Sequence, residues 1–510
     1  MAEYLEEEKK EARNSALSYA IENITKNRHL STIARSNYVH EVKEYILKHG
    51  SFHDIELASK LNDSDTEHWN KFYHSIIGTK SASELKIAYL SGPNPENDVE
   101  ILVENGVLPE NIWAFESDNK IYTKATISAL DSKFPFIKIY KGRIENYLKI
   151  LPFKFDIIYL DFCSTISSKK TISVIRDIFN YNKLNSPGVL VTNFSLPEKN
   201  ENNNEYREKL NLLAANYLFP KQFVENETDL GGGAYSNEEL GISPEDFLEI
   251  VKSDERTFYS QLITRLLYDI PSVIIPYQKL YENENISKIF FKNFKIETIQ
   301  NNLDYSEDLW TFPNENSLMW GLSDFWIQKE ELTQVLSQLK KQLSINGDDK
   351  SLIESIELVS YFITERGQKE IHSDKLEEIQ KKWKIDSSHI FCDVFLFHQF
   401  KDILIGQLTS PYFYNVEYTK RWVYKAKTAE MFMDVVTYDQ CRYIFDWMPT
   451  LDMFEEGVNN IKRQLSLRFA MDSIAKQRRW YNEEFFSGTA VIDQHTSGFT
   501  VKELEKRIEI

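Results

Sequence analysis

Cysteine is scarce in this chain. Cys163, Cys392 and Cys441 are the three among 510 residues, and no Cys-x-x-Cys pair occurs. Thiols so few and so widely spaced exclude a disulfide framework and set the expectation of a reducing, cytoplasmic setting. Long apolar runs are missing as well: none approaches the roughly 20 residues of a membrane helix, so no membrane span is expected. The acidic opening Met1-Ala2-Glu3-Tyr4-Leu5-Glu6-Glu7-Glu8 lacks the basic-then-apolar order of a signal peptide. Positive charge is in deficit. With 60 Lys and Arg against 78 Asp and Glu, the net charge is −18. That argues against a generally basic, nucleic-acid-coating surface while allowing a local basic groove. Three glycine signatures are also absent: Gly-x-Gly-x-x-Gly, Gly-x-Ser-x-Gly and the Walker sequence. Dehydrogenase, serine-hydrolase and P-loop readings therefore lack their motifs.

What remains is a chain that is 42% hydrophobic and long enough for two or three domains. Residues 1–80 read as a helical N-terminal region. Leu17, Ala20, Ile21 and Ile24 recur at helical spacing, as do Val39, Val42, Tyr45 and Ile46. Six of the ten histidines (His29, His40, His49, His53, His68, His74) fall here. Neither a cysteine nor a His-Glu-x-x-His sequence accompanies them, so scattered structural histidines are favoured over a metal cluster.

From about Glu84 the period changes. The runs LKIAYL, NIWAFE, FIKIY, FDIIYLD and GVLVTNF alternate with amphipathic stretches. Nearly continuous apolar strands separated by helices predict a doubly wound α/β domain over 81–300, with parallel strands covered on both faces. An insertion is expected over 195–265. Its Gly231-Gly232-Gly233 reads as a loop, because a phosphate cradle needs a preceding strand and a Lys-Ser/Thr. Two further strands, Pro271 to Tyr281 and Ile286 to Phe294, are expected as an antiparallel pair at the sheet edge. Residues 301–510 read as a mainly helical C-terminal domain, with a stripe of Leu332, Val335, Leu336, Leu339 and Leu343 ending at Asn346-Gly347.

Four landmarks sit at the ends of the strand runs. The first run breaks at Ser91-Gly92-Pro93, the second ends in Glu116, the third leads to Gly142 and the fourth ends in Asp161. In this order they resemble the class I S-adenosylmethionine-dependent methyltransferase family, a Rossmann-like fold, over under half of the chain. The resemblance implies S-adenosylmethionine as cofactor, with Gly92, Glu116, Gly142 and Asp161 around it. Glu116 is of the right type to take both ribose hydroxyls in a bidentate grip; the alternative is a surface acid at a strand end. Asp161 can receive a proton or hydrogen bonds from the group being methylated, or orient the methionine amine; the alternative is a helix cap.

The first turn departs from the family pattern. Only Gly92 stands where several glycines are usual, and Pro93 and Pro95 each remove an N–H donor. Arg143 follows Gly142 where members commonly carry an acid to meet the adenine amine, and it cannot accept a hydrogen bond. The Asp-Pro-Pro-Tyr pattern of nucleic-acid amino-methyltransferases is reduced to Asp161 of Asp-Phe-Cys-Ser. Asn94, Asn97 and Asp98 offer substitute polar contacts, with a helix-capping role for Asp98 as the plainer reading.

Near the far end, Tyr418 to Thr428 and Ile461 to Phe486 interleave Lys and Arg with aromatics. Cations for phosphates and flat rings for bases suit a single-stranded nucleic-acid groove, and the same charges suit a protein partner. Two functions are thus expected in competition: a methyltransferase of unknown acceptor, and an inactive methyltransferase-like binding or assembly protein.

Overall fold

A computed structural model describes residues 7–49, 55–56, 58–166, 168–200, 203–218, 244–276, 279, 409–426, 429–447 and 505–510. Its centre is one sheet. Strands β1 (Ile87–Leu90), β2 (Ile112–Glu116), β3 (Lys138–Lys141), β4 (Phe155–Asp161) and β5 (Leu184–Leu196) are those anticipated. Strands β6 (Phe413–Ala426), β7 (Ala429–Asp439) and β8 (Ile508–Glu509) complete it, in the order β3-β2-β1-β4-β5-β7-β6-β8. The first five are parallel, with β1 between β2 and β4: Ile87 lies beside both Ile112 and Ile157. The order 3-2-1-4-5 is that of a doubly wound, Rossmann-like sheet. The sheet as a whole is mixed, because β7 runs antiparallel to both β5 and β6.

Why these runs make buried strands follows from side-chain alternation. Ile87 and Tyr89 of β1 pack with Ile112, Ala114, Ile157, Tyr159, Val189 and Val191 on one face. Ala88, Trp113, Phe115, Ile158, Leu160 and Leu190 pack on the other. Both faces are apolar, so each strand reads as a continuous hydrophobic run. The first face is covered by α1 (Glu7–Ile24) and α4 (Glu96–Glu104). In α1, Ala12, Ala16 and Ala20 recur at one-turn spacing and are fully buried. Such small side chains let a helix lie close to a sheet. The second face is covered by α6 (Ile144–Ile150), α7 (Lys169–Asn180), α8 (Asn204–Leu218), α9 (Pro244–Ser253) and α10 (Glu255–Asp269). Helices α2 (Tyr38–His49), α3 (Asp63–Ile77), α5 (Asn119–Asp131) and α11 (Arg442–Trp447) complete the described elements.

Of the two strands expected to close the sheet edge, the first is corrected over its described part: residues 271–276 are helical. Ile270–Ile274 is a π-helical turn that continues α10. The antiparallel pair that borders β5 comes from β6 and β7, within the stretch read as mainly helical. Ile286 to Phe294, the Gly231–Gly233 loop and the leucine stripe ending at Asn346-Gly347 lie outside the described residues. Among the described residues of 1–80 lie α1, α2 and α3, and α1 is part of the sheet's own core.

Candidate functional site

In an open α/β sheet the crevice lies beyond the carboxyl ends of the strands, at the point where the strand order reverses. Here that point is between β1 and β4. From β1 the chain winds outward to β2 and β3, then returns past β1 to β4 and β5. All four landmark residues lie along this rim. Glu116 is the last residue of β2 and Asp161 the last of β4; Gly142 follows β3 directly, and Gly92 follows β1 by one residue beyond Leu90.

Gly92 has φ +58°, in the left-handed region, and a Cβ there would meet nothing within 4 Å. The dihedral favours glycine, while the space beside it is open. The turn is held from both sides: Ser91 N–H donates to the Phe115 carbonyl at 3.1 Å, and Tyr89 Oη donates to the Pro95 carbonyl at 2.9 Å. Gly142, at φ +138°, is constrained differently, since a Cβ would lie 3.3 Å from the Tyr147 ring. Its N–H donates to the Glu116 carbonyl at 2.7 Å, which ties the ends of β2 and β3 together. Glu116 is half-buried, and its Oε1 accepts from the Asp118 N–H at 2.7 Å. The other oxygen has no hydrogen-bond partner among the described residues. The open space over Gly92 and the second carboxylate oxygen of Glu116 lie on the same rim.

Asp161 is fixed more firmly. Its Oδ1 accepts from Asn193 Nδ2 at 2.7 Å, and the same amide donates to Tyr424 Oη at 2.8 Å. Its Oδ2 lies 2.7 Å from Lys9 Nζ. It does not cap a helix. Ser168 does that for α7, its side chain accepting from the Thr171 N–H. Asp98 is no cap either: α4 begins at Glu96 behind Pro95, which leaves Asp98 inside the first turn. There it is buried, 3.6 Å from Arg13 Nε. Burial pushes its carboxyl up to about 7; Arg13 and Lys9 pull it down, while Asp161 and Glu96 push the same way as burial. Burial alone works to lower the Lys9 ammonium, but the charge and hydrogen bond of Asp161, with Cys163 and Asp98, raise it on balance. Burial likewise raises the thiol of Cys163, which lies on the loop after β4.

Lys9, Arg13, Asn193 and Tyr424 are the site residues that sequence reading missed. Two signals were there to find. Lys9 and Arg13 are one helical turn apart beside the buried alanines of α1, and Thr192-Asn193 is a polar pair inside an otherwise apolar run. The aromatic-basic segment from Tyr418 falls mostly in β6. Arg421, Trp422 and Tyr424 are buried, whereas Lys425 is exposed and Lys420 lies 5.1 Å over the Tyr19 ring. Ile461 to Phe486 lies outside the described residues. Among the described residues no helix is long and apolar enough to cross a membrane, and no group of three or more His, Cys, Asp or Glu is placed to hold a metal ion.

No protein-family model matches the chain, and no curated protein matches it. Among solved structures it is similar to the CcbJ methyltransferase from Streptomyces caelestis, at 14% identity and a TM-score of 0.18. That match covers 24% of this chain and 46% of the methyltransferase, so the chain spans under half the length of that relative.

Proposed function

We propose that the protein is an S-adenosylmethionine-dependent methyltransferase whose cofactor lies along the rim from β3 to β4. The observation that carries this reading is the placement of Gly92, Glu116, Gly142 and Asp161 at the carboxyl ends of four adjacent parallel strands, across the β1/β4 reversal. When bound, S-adenosylmethionine supplies a methyl group on a positively charged sulfur. Glu116 takes the ribose hydroxyls with the oxygen that has no partner among the described residues. Gly92 lets the backbone pass close beneath the ligand, and Gly142 keeps the end of β3 tied to Glu116. Asp161, oriented by Asn193, faces the acceptor and holds or receives its proton. Lys420 and Lys425 on β6 offer positive charge to a nucleic-acid or protein acceptor.

A second reading is favoured by one observation, the Lys9–Asp161 ion pair at 2.7 Å. A chain that has lost transfer chemistry and kept the sheet as a binding or assembly scaffold would retain such an internal pair. Calorimetry with S-adenosylmethionine and its demethylated product separates the two, followed by transfer of labelled methyl into cell-derived RNA, DNA and protein. Binding with transfer supports the enzyme. Absence of binding up to millimolar concentration overturns it in favour of the scaffold.

A further inference from the structure

Lys9 stands apart from its neighbours on α1. Glu7, Glu8 and Lys10 are exposed, whereas the Lys9 side chain is only 28% exposed and turns toward the sheet. What accounts for Lys9 is on the other side of the crevice. Asp161 Oδ2 receives its ammonium at 2.7 Å. Behind Asp161 stands Asn193, fully buried, which donates to the carboxylate and leaves its own Oδ1 without a hydrogen-bond partner among the described residues. The buried atoms Glu96 Oε2 and Arg13 Nε likewise have no hydrogen-bond partner among the described residues, although Arg13 Nε keeps its charge contact with Asp98. Buried polar atoms are rarely left unpaired unless water or a ligand completes them.

The lysine is also poorly retained by its own helix. Glu7, Glu8 and Lys10 are exposed, whereas Ala12, Ala16, Leu17 and Ala20 anchor α1 to the sheet. The turn that carries Lys9 is packed less than the turns that follow it, and a weakly packed turn can open while the anchored turns stay in place. Losing Lys9 from the crevice then costs one partly exposed ion pair and no core packing.

We infer that Asp161, held by Asn193, is a receptor for a primary ammonium group, that Lys9 is its resident occupant, and that the physiological ligand carries a primary ammonium which displaces Lys9. The inference rests on the transferase reading for the identity of that ligand, whose amine belongs to the cofactor or to the acceptor. The receptor itself stands on the geometry. Arg13, lying deeper and paired with Asp98, stays in place during the exchange and keeps the crevice from collapsing.

The test uses the full chain and Lys9→Ala. That substitution deletes three methylenes and the ammonium, so the probe is n-propylammonium, which replaces them. Calorimetry should show the probe binding Lys9→Ala at least tenfold more tightly than wild type, and that gain should vanish in Lys9→Ala/Asp161→Asn. Equal binding to wild type and Lys9→Ala, or a gain that survives Asp161→Asn, overturns the receptor. Thermal unfolding of each variant checks that the comparison is between folded proteins. Lys9→Met, which keeps the side-chain stem, should show no gain for the probe.

S-adenosylhomocysteine, which has an α-amine, and 5′-methylthioadenosine, which has none, distinguish the sources. A tenfold gain for the first alone in Lys9→Ala assigns the amine to the cofactor. Binding of n-propylammonium undiminished at saturating S-adenosylhomocysteine assigns it to the acceptor. If neither adenosine compound binds any form while the probe still binds Lys9→Ala, the transferase reading fails and the ammonium receptor stands.

Discussion

Arg13 Nε lies 3.6 Å from Asp98 Oδ1, too far for a hydrogen bond and close enough for a strong charge interaction, in a place where both side chains are nearly sealed from water. A carboxyl in this position has its charged form disfavoured by burial more than Arg13 restores it, which pushes it up to about 7 from the usual carboxylate range.

The pH dependence follows with a definite sign. Between about 4 and 7 the folded protein holds a proton on Asp98 that the unfolded chain has lost, so the group's contribution to stability falls as pH rises through that window. That contribution is fully present below about 4 and gone above about 7. Asp98→Asn should flatten this slope. Urea midpoints measured from pH 5 to 8 test it, and parallel curves for the two proteins would remove Asp98 as the source.

Glu116→Ala should weaken S-adenosylmethionine by roughly 1.5–3 kcal/mol, the scale of hydrogen bonds to a charged group. The fold should barely respond, because among the described residues the side chain's one hydrogen bond is from the Asp118 N–H in an exposed turn. Calorimetry beside thermal unfolding checks both halves. Unchanged affinity would place the ribose elsewhere.

Asp161→Asn preserves shape while removing the charge that meets Lys9 and, on the proposed function, the acceptor. Turnover should fall on the order of a hundredfold or more. Stability should change by no more than about 1 kcal/mol, since both members of the Lys9 pair reach solvent, at 28% and 18% exposure. Labelled-methyl transfer gives the rate. Transfer that persists at wild-type rate refutes the role.

The tail segment carries a prediction of its own. Arg507 Nη1 lies 2.5 Å from Asp434 Oδ1, with the two side chains 6% and 0% exposed. The same guanidinium donates to Ser260 Oγ and to the carbonyls of Trp422 and Met433. Arg507→Ala strands a buried carboxylate, and the expected cost is about 3 kcal/mol. Adding Asp434→Asn should recover much of it, because Thr264 Oγ1 still reaches that side chain. Denaturant unfolding of the single and double variants decides. A single variant as stable as wild type would show that the pair contributes nothing.

The parallel strands were legible because each is buried on both faces and therefore announces itself as an apolar run between helical stretches. IAYL, IWAFE and FDIIYLD need no tertiary information to be read as strands. The acids at their ends were legible for the same reason: Glu116 and Asp161 are abrupt polar stops in apolar sequence. The antiparallel strands were not. In β6, Glu417, Lys420, Arg421 and Lys425 interrupt the pattern, and the burial of Arg421 depends on partners supplied by Thr264 and the Glu505 carbonyl. The described start of the Pro271 to Tyr281 run erred in the opposite sense. A β-branched apolar run suits a strand, but it also suits a helical turn buried against its neighbours, and only packing chooses between them.

The sequence by itself therefore determined the doubly wound half of the sheet and the residues along its rim, since local periodicity and burial on two faces are properties of single segments. Tertiary structure alone decided what those rim residues face. Lys9 and Asp161, or Asn193 and Tyr424, are far apart along the chain and meet only when α1 and β6 have joined the sheet. Charge pairing and hydrogen bonding act over a few ångströms in space, and no spacing in the sequence encodes that distance.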